Sequence, residues 1–248
     1  KKILGKNTKK IYPEELNTIK KLSRGVYAKK RLNKGEILNS KNTFFAMPLQ
    51  KGQLSSIDLK NNTILKQIVL INKPIQLKKV IFDKKTQEEY KIRTMLHQAK
   101  AMLNYCNLNI GKKIDLEISH HKGIDNFEKI GCFLFNIVNR EYTKKIIVML
   151  QRQRHPSHSH KIKSETFIVI SGTLNVQIGS KKYLLNPGDK LDVKKGFYHK
   201  FTAGNEGCVF EEISTTSFKT DSYYKNRKLK NMSRFQRKTF ISNWFNIK

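Results

Sequence analysis

The sequence predicts a mainly β protein built as a small N-terminal β module, a connecting helix and a C-terminal β-barrel. Three observations predict it. From residue 114 onward, apolar residues come in short runs separated by turn residues at close spacing, as in a sandwich or barrel. The stretch 86–110 is the clearest case of the 3.6-residue apolar period of an amphipathic helix. Among the C-terminal strands lies His-x-His-x4-Glu-x6-Gly followed by Gly-x7-Gly-x2-His, a set of metal-binding side chains that one small barrel can bring to a point.

The chain has 248 residues, enough for one large or two medium domains with a buried core. No run approaches the roughly 18 consecutive apolar residues of a membrane span. The start, Lys1-Lys2-Ile3-Leu4, has neither a methionine nor the apolar stretch of a signal peptide, so the chain is expected to begin inside a longer gene product. Lys and Arg number 50 against 19 Asp and Glu, a formal charge of +31. That excess would suit an anionic partner. The lysines are dispersed over the whole chain, however, and no nucleic-acid-reading motif accompanies them, so solvated surface lysines are the preferred reading and no specific nucleic-acid partner is expected. Cys106, Cys132 and Cys208 form neither a disulfide framework nor a CxxC site, which fits buried, reduced thiols in a cytoplasmic protein.

The elements follow in order. Residues 1–80 are expected to form the small β module with its N-terminal linker. Asn33-Lys34-Gly35 reads as a turn, and Gln67–Ile71 and Ile75–Leu77 as strands separated by Asn72-Lys73-Pro74. Residues 81–112 hold the connecting helix, with Thr86 and Glu89 as a capping box, a stripe from Ile92 to Cys106, and Gly111 as its stop. Residues 113–218 supply strands at 114–119, 131–139, 144–150, 166–170, 173–178, 182–185, 189–193, 198–203 and 208–215. The tail, 219–248, is basic and aromatic. It is expected to pack on the barrel or on a partner and to hold a short helix near 233–245.

The chemistry concentrates at four residues. His158 and His160 are two apart, so a strand turns both imidazoles to one face. Glu165 returns from the next stretch, Gly172 and Gly188 permit sharp turns, and Gly196 precedes His199. A strand at His199 beside that of His158 and His160 completes three imidazoles and a carboxylate. This donor set suits one divalent transition metal (Mn, Fe, Co, Ni, Cu or Zn) without choosing among them. His155 is a substrate contact at the barrel mouth or a plain loop histidine. His120 and His121 follow a strand, and alternation lets at most one face the pocket. In Phe210-Glu211-Glu212-Ile213, one carboxylate turns inward. Glu212 is taken as that one, a general base or a lysine's partner.

These motifs resemble the cupin family across roughly residues 130–215. Lys194 stands where the second cupin motif usually has Pro, and Ala203 where it often has Asn; neither is a ligand position. The resemblance implies a double-stranded β-helix, or jelly-roll, holding a metal. A second resemblance lies in Ser23-Arg24-Gly25-Val26-Tyr27-Ala28 and Lys34-Gly35-Glu36-Ile37, which are similar to the antifreeze-like (SAF, β-clip) domain of sialic acid synthases. Ser119-His120-His121-x-Gly123-Ile124 and Phe210–Thr216 are similar to the synthase-like spore coat polysaccharide biosynthesis proteins that carry a cupin after the SAF domain. That resemblance implies a place in nonulosonic acid or surface polysaccharide biosynthesis, a sugar or sugar derivative as ligand, a homodimer, and Arg24 at the position that offers an arginine to a partner's sugar site. Gly25 departs from the usual Ser beside it. The resemblance also implies that the synthase's TIM barrel is absent from this chain. Two further readings stand beside this one: a non-catalytic carbohydrate-sensing or assembly module, and a basic RNA-binding accessory protein.

Overall fold

The computed structural model describes residues 13–242 and 244. The chain divides into two compact units, Lys1–Tyr90 and Lys91–Lys248.

The N-terminal unit opens with helix α1 (Pro13–Leu22) and continues with short strands β1 (Gly25–Ala28), β2 (Thr43–Ala46), β3 (Ile64–Leu65) and β4 (Val80–Ile81). β1 pairs antiparallel with β2, and β3 with β4. The expected strands at 67–71 and 75–77 do not form as ladders. They carry only isolated bridges, Leu32 opposite Val69 and Gln53 opposite Gln76, while Ile71 lies in a turn and Leu77 begins a 3-10 helix (Leu77–Lys79). Three segments close a ring of backbone bonds, from Val26 N–H to Leu54 O, Leu54 N–H to Ile75 O and Ile75 N–H to Val26 O, at 2.8–2.9 Å. This satisfies buried amides without a continuous sheet. Around it Val26, Leu32, Leu54, Leu65 and Ile75 form a core at 0–1% exposure. The Asn33–Gly35 turn is present, with Gly35 at φ +88°.

Helix α2 (Lys84–Tyr105) contains the division between the units. It starts two residues before Thr86, whose side chain lies outside the described set, and it ends at Asn107 rather than Gly111. Asn107 takes φ +52°; its N–H bonds Asn104 O, and Leu108 N–H reaches Leu103 O. This is a Schellman cap, which satisfies the last carbonyls before the predicted glycine is reached.

The C-terminal unit is a β structure of ten strands: β5 (Asp115–Ser119), β6 (Cys132–Asn139), β7 (Tyr142–Met149), β8 (Arg154–Ser159), β9 (Glu165–Ile178), β10 (Lys181–Leu185), β11 (Lys190–Val193), β12 (His199–Thr215), β13 (Tyr223–Tyr224) and β14 (Lys238–Ile241). The main order is β10-β9-β12-β7-β6-β5-β14, with β11 on β9, and β8 pairing both β12 and β13. Strict alternation builds two cores. Phe133, Phe135, Ile146 and Val148 face out, under Met95, Leu96, Ala99 and Leu103 of α2. Cys132, Leu134, Ile147 and Met149 face in, with Phe167, Phe201 and Phe210.

β9 and β12 are each continuous where two strands were expected. The predicted breaks, Ser171-Gly172 and Gly204–Gly207, are bends within a shared ladder. Ala203 pairs Leu174, and the register resumes at Cys208 with Gly172. Such a bulge lets one strand pair serve two sheets. The bend needs glycine at both sides. Gly172 sits at φ +74° and a Cβ there would lie 2.1 Å from Gly207 O; Gly207 sits at φ +80°.

The tail departs from the expected helix. Ser233 caps a four-residue helix, and β14 then joins the open edge of β5. The tail holds the short helices α3 (Arg227–Lys230) and α4 (Arg234–Arg237), the second being the one that Ser233 caps. Trp244 packs edge-on against Phe135, with ring centroids 4.8 Å apart. No helix among the described residues is long and apolar enough to cross a membrane.

Gly172→Ala should lower the stability of this unit by about 2–4 kcal/mol, from a left-handed L residue plus an overpacked contact. Trp244, the only tryptophan in the chain, reports the shift as a lower urea midpoint in fluorescence.

Candidate metal centre

His158 lies near the end of β8, His160 one residue beyond it, Glu165 at the start of β9 and His199 at the start of β12. The β8–β12 pairing sets His199 directly opposite His158. All four are buried, at 1–6% exposure. One ligand atom from each lies within 4.8 Å of the others.

The orientation of the rings is fixed from behind. Nδ1 of His158 bonds Pro156 O at 3.0 Å, Nδ1 of His199 bonds Phe197 O at 3.1 Å, and Nδ1 of His160 bonds Asp221 O. A carbonyl can only accept, so each Nδ1 carries the proton and each Nε2 presents a lone pair. His160 Nε2 lies 3.3 Å from Glu165 Oε1, and His199 Nε2 lies 3.1 Å from Glu165 Oε2. Neither His199 Nε2 nor Glu165 Oε2 has a hydrogen-bond partner among the described residues, although both are buried. Orphaned acceptors aimed at one point fit a cation. Burial, reinforced by neighbouring imidazoles, holds His158 well below the ordinary histidine pKa, and burial likewise lowers that of His160. Both rings are therefore neutral, the form that ligates.

A chain of buried charges runs through the centre. Lys163 Nζ lies 2.5 Å from Glu165 Oε1 and 2.7 Å from Glu212 Oε1. Lys145 Nζ also lies 2.7 Å from Glu212 Oε1. Burial pushes the Glu212 carboxyl up, but the two ammonium groups outweigh it and its pKa is lowered. Glu165 is held well below the carboxylate range, burial again being overcome, here by Lys163 and the neighbouring imidazoles. Glu212 thus faces inward and is a lysine partner first. Both ammoniums bond Oε1.

Asp221 organises the loop that carries His160 and Glu165. Its carboxylate accepts the consecutive N–H groups of Lys161, Ile162 and Lys163 at 2.8–3.2 Å, while its carbonyl holds His160. Asp221, Lys163 and Lys145 are absent from the sequence reading. Alternation gave a signal for Lys145, which shares the inward face of β7 with Ile147 and is the cross-strand partner of Glu212. Asp221 lies 56 positions beyond Glu165 in an irregular segment, where no period marks it.

With His199 behind them at 1% exposure, His158, His160 and Glu165 line a cavity of about 280 Å³. His155 lines it, stacked on Phe201 with centroids 4.6 Å apart and in contact with His121 Nε2 at 3.1 Å. His121 and His120 are not among the lining residues. His121 is fully buried behind His155 and bonded to Ser119 Oγ at 3.0 Å; His120 approaches Thr239 Oγ1 at 3.3 Å. Both leave the strand after Ser119, and their amides bond Arg237 O, so strand alternation does not govern them. Arg24 is exposed in the N-terminal unit. At the β5 side of the cavity, Glu117 pairs with Arg234 at 2.6 Å and Lys238 at 2.7 Å.

Residues 146–214 match the family model described as "Cupin domain", and this stretch is a cupin domain. No curated protein matches the chain. Among solved structures, the Cellulomonas parahominis L-ribose isomerase with L-ribose is 11% identical at TM-score 0.48, over 57% of this chain and 94% of that one. KdgF from Halomonas sp. is 13% identical at TM-score 0.34, over 36% and 81%. A cupin-2 domain protein from Shewanella frigidimarina is 25% identical at TM-score 0.30, over 34% and 79%.

Asp221→Ala should weaken binding of a divalent metal roughly ten- to hundredfold, the usual cost of losing a group that positions ligands. Titration of metal-free protein with Zn²⁺ against a competing chelator measures it. Acid should also destabilise the metal-free unit. His121 is lowered to about 3 by burial and the cations Lys238 and Arg237, and His155 is lowered well below its ordinary value, again by burial. With His158 and His160, these rings stay neutral in the fold while the unfolded chain protonates below its pKa of 6.5. Stability is then full above that value and falls as pH drops toward the folded values, with Glu117, Glu165 and Glu212 adding to the loss below 4.5. The urea midpoint should fall steadily from pH 7.5 to 5; a flat profile contradicts the buried neutral imidazoles.

Proposed function

We propose that the cupin domain holds one divalent transition metal on His158, His160, Glu165 and His199 and acts on a sugar, isomerising or epimerising it. The carrying observation is the convergence of three imidazole lone pairs, each fixed by an Nδ1–H bond to a carbonyl, with a carboxylate beside a cavity lined by both polar and apolar side chains. A bound metal would polarise a carbonyl and acidify the adjacent C–H. The chain's residues do the rest. Phe201 and Phe167 offer apolar faces to a sugar ring, while His155 and Asn136 offer polar contacts. Glu212 is the proton carrier. Lys145 and Lys163 grip Oε1 and keep the group ionised at neutral pH, and Oε2 is the atom left to take a proton. Its lowered pKa makes it a weak base, so it depends on an acidified substrate.

The wider setting belongs to the same proposal. The N-terminal unit is a SAF-like domain, a reading supported by its short segments bonded at single points and by its sequence resemblance. The protein is a homodimeric, cytoplasmic, synthase-like component of nonulosonic acid or surface polysaccharide biosynthesis, and exposed Arg24 is the residue offered toward a sugar. The same specific observation that weakens Glu212 as a base favours a second reading, in which the centre binds a carbohydrate without turning it over.

Metal analysis should find about one equivalent in the wild type and a loss of at least tenfold in affinity for His158→Ala. Metal-loaded protein incubated in D₂O with a panel of aldoses and N-acetylhexosamines should exchange the C2 hydrogen of one of them, seen by NMR. Glu212→Gln should slow that exchange by about 10²–10⁴. Exchange with no sugar, in a protein that holds metal, selects the binding-only reading.

A further inference from the structure

The cavity carries more positive charge than its ion pairs use. Six cationic side chains line it against four carboxylates. Around the centre, Lys145 and Lys163 are matched by Glu212 and Glu165. At the β5/β14 side, Glu117 pairs with both Arg234 and Lys238, and Asp115, exposed on the same strand, is the fourth carboxylate. Arg237 lies over the Tyr224 ring, its guanidinium carbon 4.6 Å from the centroid, and its Nε bonds only backbone carbonyls. Lys219 is exposed at the lining, and no carboxylate among the described residues is bonded to it. A divalent ion on the four ligands would raise the excess further. Uncompensated charge in a partly desolvated cavity is costly, and an oxyanion of the ligand removes that cost. Three of these cations, Arg234, Arg237 and Lys238, come from one short stretch folded against the edge of β5, which makes the cationic wall a feature of the tail and separate from the metal ligands.

We infer that the ligand is an acidic sugar, whose phosphate or carboxylate oxyanion is received by Arg234, Arg237, Lys238 and Lys219 while its hydroxyl or carbonyl oxygens face the histidine cluster. The inference rests on reading the cavity as a sugar site.

The test is isothermal titration of the metal-loaded full chain, at fixed ionic strength, with glucose, glucose 6-phosphate and glucuronate, and with N-acetylglucosamine and its 6-phosphate. At least one acidic form should bind ten or more times tighter than its neutral parent, and the form preferred separates phosphate from carboxylate. Lys219→Gln, at an exposed position, and Arg234→Gln should each reduce that preference at least fivefold while leaving the metal content unchanged. If Arg234→Gln fails to fold, Lys219→Gln decides. Metal-loaded protein that binds no acidic sugar better than its parent, or whose preference survives Lys219→Gln, overturns the inference and leaves the metal centre standing. A protein that takes up no metal yet prefers acidic sugars overturns the metal reading and leaves this one.

Discussion

The buried carboxylate of Glu165 is the point on which the barrel interior depends. An ionised carboxylate in a protein interior is tolerated only with charge and hydrogen-bond compensation. Glu165 receives it from Lys163, and Lys163 is shared with Glu212, which is shared in turn with Lys145. The chain joins β7, the β8–β9 loop, β9 and β12 through side chains alone. Removing one buried partner of such a set typically costs 3–5 kcal/mol, because the remaining charge is stranded. One side of the centre is therefore a structural ion network, while the opposite side, where Glu165 Oε2 and His199 Nε2 go unbonded, is left open to a cation.

Backbone geometry supplies the second level of control. The three imidazoles are aimed by carbonyls of Pro156, Phe197 and Asp221, and the loop bearing two of the ligands is gathered by one carboxylate on three successive amides. None of these partners needs a particular side chain except Asp221. The Gly172–Gly207 contact has a similar role at larger scale. It lets β9 and β12 bend together, so that β12 carries His199 in its first half and Glu212 in its second and brings both to one interior.

Legibility in the sequence followed periodicity and spacing. Strand alternation gave the inward Glu212 of β12 and the HxH pair. It failed where the chain leaves regular structure. His120 and His121 were read by alternation, yet the chain turns after Ser119 and packs both away from the cavity lining. Ser171-Gly172 and Gly204–Gly207 were read as turns because isolated glycine marks both turns and bulges. Only the pairing partner distinguishes them. The tail's Ser233 capping box correctly starts a helix, but β5 has an open edge, and pairing Lys238–Ile241 with it, with Lys238 on Glu117, wins over four more residues of helix.

By itself, then, the sequence determined a mainly β chain of many short strands, one amphipathic helix, and four candidate metal-binding side chains in an order a barrel can close. Those are local properties: period, turn chemistry and ligand spacing. Tertiary structure alone decided that Glu212 is gripped by two lysines, that Asp221 holds the ligand loop, and that Arg234, Arg237 and Lys238 line the same cavity as His158. Each of these joins residues some 50–120 positions apart, and contacts at that separation are set by strand pairing and burial, which leave no period in the sequence to read.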